Sequence, residues 1–287
     1  MSEMTKAPLL NSLPMTRLRL LGARCLYRTV RLFVHDDHQR VDRGGINYEL
    51  DLSEGIDLAL FLFGNFQSHV SANRHFSIPS DAVIFDIGAN IGSMCLSFAK
   101  RAPEGFVYAF EPTEYAYKKL VRNLLLNPDL SSRIHATHAY VSNRSEESQP
   151  VECYSSWKVD GLKAETHPIH GGLIRPAELT QVLTIDDFCR DNAIDRVDFI
   201  KIDTDGHELD VLEGARETLR NRRPVVLFEI GDYLLKERGQ DYGRFLSLFE
   251  PLGYRLINSK GGAQVTLQNY TREVPRKATT DLIALPT

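Results

Sequence analysis

The segment VIFDIGANIGSMCLSFAK, Val83 to Lys100, narrows the fold more than any other part of the chain. It opens as a short, β-branched apolar run, the pattern of a strand buried on both faces. Gly88 and Gly92 then make a tight turn, and Ile91, Met94, Cys95, Phe98 and Ala99 fall on one helical face. Strand, glycine turn and helix in that order open a nucleotide-binding α/β domain. The glycines are spaced G-x-x-x-G, whereas a dinucleotide binder uses G-x-G-x-x-G. The middle glycine that seats a pyrophosphate is missing. Asn90 stands in that region; it would crowd a diphosphate but can hydrogen-bond a small zwitterion.

The alternation continues. FVYAFEP reads as a second strand, Glu114 to Leu126 as a helix, and IHATHAYV as a third strand. After TIDDF, where Thr184 is a plausible N-cap, VDFIKID is a strand, Glu208 to Arg220 a helix and PVVLFEI a strand. One more helix runs through DYLLKERGQDYGRFLSLFEPLG, and YRLIN and DLIALP close the chain with no helix between them. This pattern predicts a mostly parallel sheet, helices on both faces, and an antiparallel terminal hairpin. Residues 81–287 form that domain, with a polar insertion at about 142–180 holding Gly171 and Gly172. Residues 1–80 form an N-terminal extension: a basic amphipathic helix, then a hairpin and a helix over INYELDLSEGIDLALFLFG.

Composition removes several classes. A net charge of −4 and a pI near 6.2 give no basic field for nucleic acid. Cys25, Cys95, Cys153 and Cys189 are scattered, as reduced thiols of a cytoplasmic protein would be. No 18-residue apolar run marks a transmembrane segment. Arg17, Arg19, Arg24, Arg28 and Arg31 lie on the N-terminal helix. Packing on its own domain is the simpler reading of that helix; peripheral contact with an anionic membrane is the other.

Glu111 closes the second strand, immediately before Pro112. A strand-end carboxylate about 20 residues after such a turn accepts hydrogen bonds from adenosine ribose hydroxyls and disfavours a 2′-phosphate. FDIGANIG, FEP, IDDF, VDFIKIDTDGHELDVLEGA and RPVVLFEI follow in order over roughly Val83 to Ile230, with YELDLSEGID upstream. Together they resemble the FkbM-type S-adenosylmethionine-dependent methyltransferases. The resemblance implies a Rossmann-like class I fold, with a seven-stranded sheet whose last strand is antiparallel. It also implies that Gly88, Asn90 and Gly92 border the methionine part and that Asp86 anchors the turn. Glu111, beside Pro112, would hold the ribose, and adenine contacts would fall around Tyr140 to Ser142.

Methyl transfer needs an aligned acceptor atom and a place for its proton. His207 has an unperturbed pKa near neutrality, about 6.5, and is the preferred general base, with Asp203 and Glu208 beside it. Asp203 orients the acceptor, takes its proton, or balances the sulfonium. Lys201 needs a carboxylate partner, and Glu229 is the candidate; Glu229 also counts among the acceptor-binding residues. A divalent cation such as Mg²⁺ on Asp203, Asp205, Glu208 and Glu229 is not favoured, because no spacing is diagnostic. Within the insertion, Trp157 and Tyr154 suit stacking on an acceptor, while His167 and His170 read as ordinary loop histidines.

The expected reaction is O-methylation of a hydroxyl or carboxyl on a glycan or secondary-metabolite-type small molecule. The alternatives are an NAD-binding oxidoreductase on a similar sheet, and a non-catalytic cofactor-binding scaffold. No Asn-Pro-Pro-Tyr loop of nucleic-acid amino methylases occurs. A homo-oligomer is compatible with the sequence.

Overall fold

The computed structural model describes residues 17–64, 67–145, 151–155, 158–160, 173–177 and 181–287. Helix α1 (Arg17–Val30), strands β1 (His38–Asp42) and β2 (Asn47–Asp51), and helices α2 (Gly55–Phe63) and α3 (Ser68–Ser71) come first. The alternating region starts with β3 (Val83–Ile87), α4 (Ser93–Arg101), β4 (Phe106–Glu111), α5 (Glu114–Leu125), α6 (Pro128–Ser131) and β5 (Ile134–Val141). Between 142 and 180, β6 (Val151–Ser155) and β7 (Leu173–Ala177) pair antiparallel. Next come β8 (Gln181–Leu183), α7 (Ile185–Asp191), β9 (Phe199–Ile202), α8 (Glu208–Glu213), α9 (Arg216–Asn221) and β10 (Val225–Gly231). The chain ends with α10 (Asp232–Glu237), α11 (Tyr242–Phe249), β11 (Tyr254–Asn258), α12 (Tyr270–Glu273) and β12 (Thr279–Pro286).

Among the described residues the main sheet has the order β11-β12-β10-β9-β3-β4-β5-β8. The seven expected strands are all present, and β8 adds an eighth, parallel to β5 at one edge. β12 runs antiparallel to both β10 and β11 and lies between them. One turn of helix, α12, interrupts what was expected to be a direct connection between the last two strands. Strand order reverses between β3 and β9, so the crevice beyond their carboxyl ends is the topological switch point where ligands bind in such sheets.

Alternation along each strand divides the core in two. Phe85, Phe110, Ile200, Ile202 and Phe228 pack on one side of the sheet with Leu209, Leu212 and Phe245. Ile84, Val107, Phe199 and Leu227 pack on the other, in a cluster that also contains Ala23, Tyr48, Leu50, Leu58 and Val70 of the extension. The extension therefore shares a core with one face of the sheet. Polar contacts reinforce the join: Asn123 of α5 and Asn127, just before α6, accept hydrogen bonds from the backbone N–H groups of Glu49 and Asn47, both at 2.8 Å. Lys119 of α5 reaches Glu54 at 2.9 Å and Asp57 at 2.5 Å.

Thr184 caps α7, its hydroxyl accepting from the Asp187 N–H at 3.0 Å. The single helix expected over Glu208 to Arg220 is in fact α8 and α9, broken at Gly214. A Cβ at Gly214 would stand 2.1 Å from the Ser142 carbonyl oxygen, so only glycine admits this approach. The next expected helix is likewise divided into α10 and α11, with Gly239 at φ +61° between them.

Candidate functional site

At the switch point, β3 ends in a turn fixed from two directions. Gly88 has φ +78°, and a Cβ there would meet the Asp203 carbonyl oxygen at 1.9 Å, so the turn lies directly on the end of β9. The N–H groups of Gly88 and Ala89 both donate to the Phe110 carbonyl, at 3.0 and 2.9 Å. Asn90 has φ +50°, and its N–H donates to Glu111 Oε2 at 2.9 Å. Gly92, at φ +88°, is the residue that leads into α4. Turn and second strand end are thereby a single unit.

Glu111 is buried, 5 % exposed. Its Oε1 accepts from the Thr113 N–H at 2.9 Å and from the Thr113 hydroxyl at 2.6 Å. A carboxylate has about four lone-pair sites; three are filled here, and the one left is on Oε2. Burial pushes the Glu111 carboxyl up, and the donors from Thr113 and Asn90 pull it back. Pro112 is held through its carbonyl, which accepts from His138 Nε2 at 3.0 Å. Ser142 is half-buried, and its N–H donates to the Leu183 carbonyl at 2.9 Å.

Beneath the turn sits a buried cation. Lys201 Nζ donates to the Gly88 carbonyl at 3.0 Å and stands 3.4 Å from Asp86 and 3.5 Å from Asp203. Burial alone would lower the ammonium pKa, but Asp86 and Asp203 together hold it above its ordinary value. Burial raises the Asp86 carboxyl, with Lys201 opposing. The expected Lys201–Glu229 pair is thus corrected to Lys201 with Asp86 and Asp203. Register explains the difference: Asp86 lies directly opposite Lys201 across β3 and β9. On β10 it is Leu227 that faces Lys201, and Glu229 lies two residues further on, about 7 Å along the strand.

The loop after β9 separates roles that the sequence left together. Asp203 is partly open, its side chain 27 % exposed, and it accepts from Gln67 Nε2 at 3.2 Å. Glu208 is buried, and its Oε1 accepts from the Thr204 N–H at 2.9 Å, the Thr204 hydroxyl at 3.1 Å and the Gly206 N–H at 3.1 Å. Glu208 thus braces the loop through Oε1, a structural task beside the catalytic role expected of it. Asp205 has φ +51°, and its carboxyl is pushed far up by burial, with Asp203 and Glu208 adding to the shift.

His207 is also corrected. Its ring is buried, with Nε2 against the Arg238 guanidinium and Nδ1 against the Tyr140 hydroxyl. The Tyr140 ring meets it edge-on at 5.3 Å. A guanidinium only donates, so Nε2 is the accepting nitrogen and the proton sits on Nδ1. The lone pair a general base needs is already engaged. Burial lowers the His207 pKa, with Asp210 opposing.

One expectation follows for stability. The folded value lies below the unfolded one of about 6.5, so the unfolded chain binds more protons below that pH. His207 therefore contributes stability above about pH 6.5 that is lost as pH falls through it. The stability advantage of the wild type over His207→Gln should shrink by up to about 1.4 kcal/mol per pH unit below that point. Urea unfolding at about pH 7.5 and about pH 5.5 measures it; a constant difference would contradict a buried neutral ring.

Glu229 is half-buried on β10, in register with Asp281 of β12. Burial pushes its carboxyl well up, and Asp203, Asp205 and Asp281 add to the effect. Trp157, His167 and His170 lie outside the described residues, and Tyr154 is described only as a backbone position in β6, opposite Ile174. Among the described residues no group of three or more His, Cys, Asp or Glu is arranged to hold a metal ion, and no helix is long and apolar enough to cross a membrane. Sequence reasoning missed Thr113, Gln67 and Arg238, and named Tyr140 only for adenine and not as a partner of His207. The Thr113 side chain, two residues after a strand-end acid, was the one local signal available.

Comparison with known proteins identifies the family. The family profile described as Methyltransferase FkbM domain matches residues 86–256. The chain is 28 % identical over 217 residues to "Methyltransferase sdnD" of Sordaria araneosa, a match covering 64 % of this chain and 83 % of that protein. It is 27 % identical over 168 residues to "2-O-methyltransferase NoeI" of Sinorhizobium fredii, covering 55 % of this chain and 66 % of that one. A solved FkbM methyltransferase from Methylobacillus flagellatus KT aligns at 20 % identity with a TM-score of 0.48, over 73 % of this chain and 44 % of that chain. The chain belongs to the FkbM methyltransferase family, and it is a methyltransferase with a Rossmann-like fold.

Proposed function

We propose that this methyltransferase takes its methyl group from S-adenosylmethionine and places it on a hydroxyl oxygen of a small-molecule or glycan acceptor. The observation that carries the reading is Glu111, locked by Asn90 and Thr113 to the switch-point turn with one acceptor site left on Oε2. That site fits a ribose hydroxyl. The negatively charged, partly open Asp203 fits a neighbouring cationic centre. Bound there, S-adenosylmethionine supplies an electrophilic methyl group on a sulfonium.

The chain's own residues then have distinct tasks. Glu111 binds the ribose, Lys201 and Asp86 hold the turn against β9, and Asp203 lies at the crevice between donor and acceptor sides. Glu229 faces the acceptor side with a carboxyl whose raised pKa favours the protonated, hydrogen-bond-donating form. The name of the NoeI relative, a 2-O-methyltransferase, supports oxygen as the acceptor atom. A cytoplasmic setting fits the scattered spacing of the four cysteines in the sequence.

The test is transfer of tritiated methyl from S-adenosylmethionine to a panel of glycosides, phenols and hydroxy acids. The product should be an alkali-stable ether. Label released as methanol by mild alkali would mean a carboxyl ester, and label on amines would overturn the choice of oxygen.

A further inference from the structure

Two residues of the N-terminal extension reach across the carboxyl edge of the sheet. Gln67 donates to Asp203 on the end of β9, and His69 Nε2 lies 2.6 Å from Asp281 Oδ2 on β12. β10, carrying Glu229, runs between those strands, and Glu229 is in register with Asp281. Neighbouring strands are about 4.8 Å apart, so Asp203 and Asp281 are separated by about two such steps. The segment 67–69 therefore spans the acceptor side of the crevice.

We propose that His69, oriented by Asp281, is the general base that takes the acceptor hydroxyl's proton. This deepens the hydroxyl-methylation reading and rests on it. An ionised carboxylate only accepts, so the short bond to Asp281 puts the ring proton on Nε2 and leaves the lone pair on Nδ1. Asp281 is well placed to hold the ring, with its side chain 15 % exposed, whereas the His69 side chain is 44 % exposed and reachable by a ligand. The arrangement is the reverse of His207, whose accepting nitrogen faces a guanidinium.

The step balances simply. The acceptor O–H bond breaks and its proton passes to Nδ1. The oxygen forms the new bond to the methyl carbon as the carbon–sulfur bond of the sulfonium donor breaks, its electron pair staying on sulfur. Asp281 stabilises the resulting imidazolium, which then returns its proton to water.

The experiment combines three readouts on the full chain. In protein labelled with ¹⁵N in its histidine rings, the signals absent from His69→Gln identify His69. They should show a bare Nδ1 and a protonated Nε2, and Asp281→Asn should mix the two tautomers. A proton on Nδ1, or signals unmoved by Asp281→Asn, overturns the proposal. With tritiated S-adenosylmethionine and either methyl glucoside or catechol as probe, His69→Gln should lower kcat by about 10²–10⁴-fold with KM little changed. Added imidazole should restore part of the activity of His69→Ala, and a kcat for His69→Gln within a few fold of wild type overturns the proposal. Adenosylhomocysteine should bind His69→Gln as it binds wild type. Failure of wild type to bind it would sink the cofactor reading instead, while the ring tautomer still judges the dyad.

Discussion

Replacing Lys201 by methionine should destabilise the protein by about 3–5 kcal/mol, the usual cost of leaving a buried charge without its partner. The ammonium is the countercharge for Asp86, whose carboxylate is fully buried. It also ties the Gly88 carbonyl to the end of β9. Methionine fills most of the volume, so the loss reports charge and hydrogen bonding more than packing. Removing both charges in the Lys201→Met, Asp86→Asn double variant should recover much of that stability, because the two losses are not additive. Urea unfolding of the four proteins gives the cycle. A single-variant loss below about 1 kcal/mol would show that Asp86 is neutralised by other means.

The Lys201 site also shows how far the sequence could be read. The period of two along VDFIKID places Lys201 opposite Ile200 and Ile202, and that is where it lies. Choosing its partner required strand order and register. β9 lies between β3 and β10, and Asp86 is level with it while Glu229 is not. The alternation of apolar runs made the seven principal strands legible, because strands buried on both faces read as continuous β-branched segments. β8 was not legible: three residues beginning with a glutamine carry no period. The breaks at Gly214 and Gly239 were marked by glycine, yet only the approach of Ser142 explains the first.

Within the site, the turn and Glu111 were legible because glycine spacing and a strand-end acid are local signals. The identities of the loop residues Asp203, His207 and Glu208 were equally plain, but their roles depend on burial and on distant partners. Arg238, which takes the His207 lone pair, is 31 residues away in the chain, and Asp281 is 212 residues from His69. No pattern within a single element announces such pairs.

Glu111 carries the second large effect. Its three present partners are all donors, so an amide in its place would set an N–H against an N–H, and alanine would release Asn90 and Thr113 together. A hydrogen bond to a charged group is worth about 1.5–3 kcal/mol, so Glu111→Ala should weaken an adenosine ligand by about 10- to 100-fold while the chain stays folded. The most direct measurement is calorimetric titration of wild type and Glu111→Ala with S-adenosylmethionine, S-adenosylhomocysteine and NAD. Binding of the two sulfur ligands but not NAD by wild type, with the expected loss in the variant, is the predicted result. Binding of NAD instead, or equal binding of the sulfur ligands by both proteins, would contradict the assignment of this turn to S-adenosylmethionine.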